Sequence, residues 1–152
     1  MGEGGRASIL VIGVGNADRG DDGAGPEVAA RLRMRGVQAI DHAGDGAALL
    51  DLWRCHSRVI VVDAMNAGAA PGTVRRFDAI REPLPRDLSL ASSHAFGPAE
   101  AIETARALGR LPPALVLYAI EGMSFALGSG LSVPVAEACR WVEQEIVAKL
   151  RD

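Results

Sequence analysis

The aliphatic run Val59–Val62 restricts the fold more than any other feature of the sequence. Four large apolar residues stand together, and Asp63 follows them directly. A strand that is apolar at every position has both of its faces buried, as in a parallel sheet covered by helices on both sides. A second such run, Ser8–Ile12, ends at Gly13. The two runs together predict an α/β fold with a buried, mainly parallel sheet.

Strand and helix patterns alternate along the rest of the chain. The predicted strands are Ser8–Ile12, Val37–Asp41, Arg58–Asp63, Thr73–Phe77 and Ala114–Ile120, and the predicted helices are Glu27–Arg35, Ala47–Arg54, Pro98–Leu108 and Pro134–Leu150. The turn Pro71-Gly72 leaves no room for a crossover helix, so the fourth strand should be antiparallel and at an edge. We therefore predict one domain, residues 1–152, built as a three-layer helix–sheet–helix sandwich. Its five-stranded sheet is mostly parallel with one antiparallel edge strand, and residues 1–7 are expected to be flexible.

Composition excludes several classes of protein. Hydrophobic residues make up 49% of the chain, which is enough for a core, and the net charge of −3 argues against a nucleic-acid binder. No segment is apolar over the length needed for a membrane span or a signal peptide, so we expect a cytoplasmic protein without a membrane partner. Cys55 and Cys139 match no zinc-binding spacing and are interpreted as small buried apolar side chains.

The glycine-rich loop Gly13–Gly25 does not have the sequence of a nucleotide-binding loop. The dinucleotide fingerprint requires a third glycine where this chain has Asp18. A phosphate-binding loop requires a lysine, and the only lysine is Lys149, near the C-terminus. A small nucleotide-binding α/β protein is therefore the weakest of three possible functions, after the enzyme and the binding protein described below.

Three groups of polar residues follow the predicted strands or precede a helix: Asp21-Asp22, Asp63 and His94. Each has a structural alternative, since aspartates cap helices and strand ends and a loop histidine is often a surface residue. Because ligands bind beyond the carboxyl ends of strands in such sheets, the three are expected to meet there. Two carboxylates and one imidazole would form a divalent-metal site suited to nickel, zinc, manganese or iron. The residues alone predict a metal-using hydrolase or a metal-sensing protein, with His42 and His56, one or both, as surface residues.

Three motifs give the chain a resemblance to a known family. They are Gly13-Val14-Gly15-Asn16 followed by Gly20–Gly25, Val61-Val62-Asp63-Ala64 followed by Pro71-Gly72, and Ser92-Ser93-His94. In this order and at this spacing, over about Ile9–Leu150, the chain resembles the hydrogenase maturation endopeptidases. The resemblance implies that Asp22, Asp63 and His94 are the catalytic residues and engage a metal.

The resemblance also implies a substrate. Such enzymes remove the C-terminal extension from a hydrogenase large-subunit precursor, and the nickel belongs to that precursor, so no organic cofactor is expected. We expect a monomer. A nickel-checking chaperone on the same fold, which binds without cutting, is the alternative. The loop Ala43–Gly46 departs from the family pattern of Gly-Gly and a small hydroxyl residue. The residues expected more weakly to border the substrate cleft are Asn16, Asp21, Asp45 and Glu121.

Overall fold

A computed structural model describes residues 9–151. The expected flexibility of residues 1–7 falls outside the described residues. The strands are β1 (Ile9–Val14), β2 (Ala39–His42), β3 (Arg58–Met65), β4 (Val74–Asp78) and β5 (Ala114–Glu121). The α-helices are α1 (Ala24–Met34), α2 (Gly46–Trp53), α3 (Pro98–Ala107) and α4 (Val133–Leu150). A short 3-10 turn, Gly20–Gly23, leads directly into α1.

The five strands form one sheet in the order β2-β1-β3-β5-β4. The pairs of β1 with β2, β1 with β3, and β3 with β5 are parallel, and β4 runs antiparallel to β5 at the edge. This confirms the predicted topology, including the edge strand that follows the Pro71-Gly72 turn. Chain order reverses beside β1, because β2 lies on one side of it and β3 on the other.

Helices cover both faces of the sheet, as the aliphatic strands require. One core contains residues of α1 and α4 packed on one face, and a second contains residues of α2 and α3 on the other. The buried carboxylate of Glu143 in α4 accepts hydrogen bonds from Arg31 and Arg35, which ties α1 to α4. None of the helices in residues 9–151 is both long and apolar enough to cross a membrane.

The structure corrects three local expectations. Strand β3 continues to Met65, so Asp63 lies inside the strand rather than at its end. Helix α1 begins at Ala24 rather than at Glu27, because the 3-10 turn runs directly into it, and Pro26 is its third residue. Cys55 is exposed, whereas Cys139 is buried as expected. Cys55 follows the end of α2 and lies in the turn between the predicted helix Ala47–Arg54 and the next strand, so its expected burial was wrong although the turn itself was predicted.

Candidate functional site

The glycines of the first loop bring the start of α1 against the sheet. A Cβ atom on Gly25 would overlap the carbonyl oxygens of Val14 and Val62, so only glycine permits this approach. Gly15 has a φ of 145°, and a Cβ there would overlap the carbonyl oxygen of Asp22. This packing places the 3-10 turn, and Asp22 with it, at the carboxyl ends of β1 and β3.

Asp22 and Asp63 each have one carboxylate oxygen without a partner. Oδ2 of Asp22 accepts a hydrogen bond from the backbone N–H of Asn16 at 3.0 Å, and Oδ1 of Asp63 accepts one from Ala64 at 2.8 Å. The other oxygens, Oδ1 of Asp22 and Oδ2 of Asp63, are buried and have no hydrogen-bond partner among residues 9–151. A buried carboxylate oxygen without a donor is costly, so this pair is suited to bind a proton or a cation.

Burial and mutual repulsion change the acidity of this pair. Burial raises the pKa of Asp63 well above its usual range, and the negative charge of Asp22 raises it further. Burial also raises the pKa of Asp22, against the lowering effects of the Asn16 hydrogen bond and the Arg19 charge. Because two close carboxylates resist ionising together, a shared proton or cation relieves the repulsion between them.

A cavity of about 390 Å³ opens beside Asp22. Its polar and charged lining includes Asn16, Arg19, Asp22, Asp41, His42 and His94. The cavity lies where chain order reverses in the sheet, which is the usual ligand position in parallel α/β folds. It therefore has the position and polarity of a binding site.

The structure brings two of the three predicted ligands together and leaves the third apart. Asp63 is close enough to Asp22 for the charge of Asp22 to raise its pKa, but it is fully buried and is not among the residues that line the cavity. His94 is exposed and lines the cavity, together with Asp22, from the loop before α3. In residues 9–151 no group of three or more histidine, cysteine, aspartate or glutamate side chains is arranged to hold a metal ion. A three-ligand site therefore requires His94 to move toward the carboxylates.

Most of the residues expected more weakly to border the cleft accept hydrogen bonds from the backbone. Asn16 does line the cavity, and it donates the hydrogen bond to Asp22. Asp45 caps the start of α2 by accepting from the N–H of Ala47. Glu121 is buried and accepts from the backbone N–H groups of Ala67 and Gly68. Neither Asp45 nor Glu121 is among the residues that line the cavity.

Asp21 is also placed away from the cavity, beneath the loop that joins β5 to α4. Its carboxylate accepts hydrogen bonds from the N–H groups of Met123, Ser124 and Ser132 and from the Ser132 hydroxyl. Burial acts to raise the pKa of Asp21, but these four bonds outweigh it and lower the pKa. Asp21 therefore holds a loop in place and has no oxygen left for a ligand.

Sequence reasoning missed His42 as a site residue. It is half-buried, lines the cavity and lies close enough to His94 to feel its charge. Burial lowers the pKa of His42; Asp45 raises it and His94 lowers it. A signal was present, because β2 ends at His42 and pairs with β1, whose own end carries the first loop.

The fold and the site together define an α/β protein with a buried carboxylate pair beside a polar cavity at the carboxyl edge of its sheet. The HycI family model, described as hydrogenase maturation protease, matches residues 25–149. The chain belongs to the hydrogenase maturation protease family.

Curated relatives carry a related name. The hydrogenase expression/formation protein HupD of Thiocapsa roseopersicina is 30% identical over 118 residues, which cover 74% of this chain and 53% of that protein. The protein of the same name from Bradyrhizobium diazoefficiens is 30% identical over 135 residues, 85% of this chain and 70% of that protein. The chain thus spans about half of the first relative's length and more of the second's.

Solved structures share the fold over nearly the whole chain. The hydrogenase maturating endopeptidase HybD from Escherichia coli is 25% identical with a TM-score of 0.78, and the match covers 95% of this chain and 92% of that one. The [NiFe] hydrogenase maturation protease HybD from Thermococcus kodakarensis is 25% identical with a TM-score of 0.76, covering 95% and 99%. These matches agree with the predicted fold class.

Proposed function

We propose that this protein is an endopeptidase that removes the C-terminal extension of a nickel-loaded hydrogenase large-subunit precursor. Family membership supports peptidase activity and a role in hydrogenase maturation. The observation that carries the proposal is the pair of unpartnered buried oxygens on Asp22 and Asp63, beside an open polar cavity. We place the reaction in the cytoplasm and assign it to a monomer.

The proposed ligands suit the ion that the precursor brings. Asp22 and Asp63 offer oxygen donors and His94 offers a nitrogen donor, and such a mixed set suits nickel. His94 makes no ring hydrogen bond within residues 9–151, so its imidazole is free to turn toward the carboxylates. An incompletely assembled ligand set fits an ion that arrives with the substrate, because the precursor's own ligands hold it until it docks.

Binding of the precursor's nickel would fix the adjoining tail in the cavity. Holding the peptide and an attacking water next to each other raises their effective concentration and so lowers the barrier to reaction. Water adds to the scissile carbonyl and gives up a proton, the C–N bond breaks, and the leaving nitrogen takes that proton. Within this scheme Asp22, Asp63 and His94 orient the precursor, and the cavity admits the tail.

The proposal is tested with the large-subunit precursor in nickel-loaded and nickel-free forms. Each form is incubated with the protein, and intact mass is recorded against time. We expect a discrete C-terminal peptide to be lost from the loaded form only. Tight binding of the loaded precursor without loss of mass would identify the nickel-checking chaperone instead, and equal cutting of both forms would contradict the role of nickel.

A further inference from the structure

The imidazole of His42 has one nitrogen committed within its own loop. The backbone N–H of Gly44 donates a hydrogen bond to Nδ1 of His42 at 2.9 Å. Gly44 has a φ of 102°, a conformation that favours glycine, and this directs its N–H back to the ring. Nδ1 therefore acts as an acceptor and carries no proton.

An unprotonated Nδ1 determines the state of the other ring nitrogen. In a neutral imidazole one nitrogen is a donor and the other an acceptor, so Nε2 of His42 carries the proton. Within residues 9–151 Nε2 makes no hydrogen bond. Because His42 lines the cavity, Nε2 is the nitrogen available to a bound molecule.

His42 and His94 therefore differ although they line the same cavity. A protonated Nε2 has no lone pair for a metal ion, whereas neither ring nitrogen of His94 is committed to a hydrogen bond in the described part of the chain. An N–H donor that lines a peptide-binding cavity needs an oxygen acceptor on the peptide. An extended peptide presents such an acceptor at every backbone carbonyl.

We propose that His42 donates its Nε2–H to a backbone carbonyl oxygen of the precursor tail and is not a ligand of the precursor's nickel. The inference rests on the proposed function and adds a peptide-binding residue to it. The Gly44 N–H keeps the proton on Nε2 before the tail enters, so the hydrogen bond forms without a change of tautomer.

The tautomer itself is measured first, without any substrate. Long-range ¹H–¹⁵N correlation spectra of the ¹⁵N-histidine-labelled protein show which ring nitrogen of His42 carries the proton. We expect the proton on Nε2 at neutral pH. A proton on Nδ1 would overturn the inference, even if the protein cuts the precursor.

Two substitutions separate the two nitrogens of His42. In His42→Asn the side-chain oxygen can still accept from Gly44, but no donor reaches the position of Nε2. In His42→Gln the amide N–H₂ reaches the position of Nε2, while the Nδ1 acceptor is lost. For cleavage of the nickel-loaded precursor we expect kcat/KM to fall about tenfold in His42→Asn and to remain within about threefold of wild type in His42→Gln.

Each other pattern overturns the inference. Retention in His42→Asn with loss in His42→Gln would mean that the ring only supports the loop. Equal loss in both would mean that the imidazole is required as such, as a metal ligand would be, and equal retention would mean that it has no role. If wild type binds the loaded precursor without cutting it, the proposed function fails. The inference about His42 is then tested by comparing the dissociation constants of His42→Asn and His42→Gln for the loaded precursor with that of wild type.

Discussion

Asp21 and Asp22 are consecutive residues of one 3-10 turn, both are buried, and their surroundings are opposite. Asp21 accepts four hydrogen bonds from the loop between β5 and α4, and its pKa is lowered even though burial acts to raise it. Asp22 keeps one oxygen unpartnered next to Asp63, and burial raises its pKa. A carboxylate whose oxygens all accept hydrogen bonds stabilises the fold. A buried carboxylate with an unpartnered oxygen lowers the stability of the fold but can bind a cation or a proton.

The largest expected effect is on the rate of precursor cleavage, which should depend on Asp22 and not on its neighbour Asp21. Asp22→Asn removes the negative charge of this carboxylate, and we expect the single-turnover rate of precursor cleavage to fall about a thousandfold or more, since the proposed metal ligation would contribute several kcal/mol. The exposed Asp51, which pairs with Arg54 on α2, supplies the matched control Asp51→Asn, and its rate should equal that of wild type. An unchanged rate in Asp22→Asn would remove Asp22 from the site.

Asp21 should act on stability instead. Asp21→Ala leaves three backbone N–H groups and one hydroxyl without their acceptor, so we expect the free energy of unfolding to fall by about 3 kcal/mol. Urea unfolding monitored by circular dichroism measures this. A loss below about 0.5 kcal/mol would mean that the loop is not held by Asp21.

Asp63 and Asp21 should make the stability of the protein depend on pH in opposite directions. The folded-state pKa of Asp63 is raised, so its contribution to stability is fully present below the ordinary aspartate value of about 4 and is lost as pH rises through the folded pKa. The pKa of Asp21 is lowered, so its contribution is present above about 4 and is lost as pH falls through the folded pKa.

Unfolding measured against pH in the metal-free protein checks both signs. Asp63→Asn should flatten the profile above pH 4 and raise stability at neutral pH, whereas Asp21→Asn should flatten it at lower pH. If Asp63→Asn left the profile unchanged, the pKa of the Asp63 carboxyl group would not be raised in the folded protein.

The smallest expected effect concerns Arg19, whose charge lowers the pKa of Asp22. Arg19→Gln should raise that pKa and move the acid limb of the kcat/KM profile to higher pH. Because Arg19 is only half-buried, we expect a change of about twofold on that limb and little at its plateau. A shift to lower pH would contradict the assigned interaction.

Local sequence patterns were sufficient to predict the fold and the carboxylate pair. The aliphatic runs predicted the parallel strands, and the rule that ligands bind beyond strand ends predicted that the Asp21-Asp22 loop lies near Asp63. The family resemblance then selected Asp22 from that pair. The Pro71-Gly72 turn correctly indicated the antiparallel edge. These features depend on residues close together in the chain or on general rules of sheet topology.

The remaining roles depend on contacts that sequence patterns do not contain. The hydrogen bond from the Ser132 N–H to Asp21 joins residues 111 positions apart, so the local sequence does not show that Asp21 holds a distant loop. Glu121 likewise meets its donors on Ala67 and Gly68 across the fold. His42 was predictable in principle, because it ends a strand that pairs with β1, but the commitment of its Nδ1 to Gly44 is visible only in three dimensions.

One measurement tests the central claim most directly: the intact mass of nickel-loaded precursor after incubation with Asp63→Asn, under conditions where wild type completes the reaction. We expect the precursor mass to stay unchanged while the variant remains folded and becomes more stable at neutral pH. Loss of the same C-terminal peptide at the wild-type rate would contradict the claim that the unpartnered carboxylate pair forms the active site.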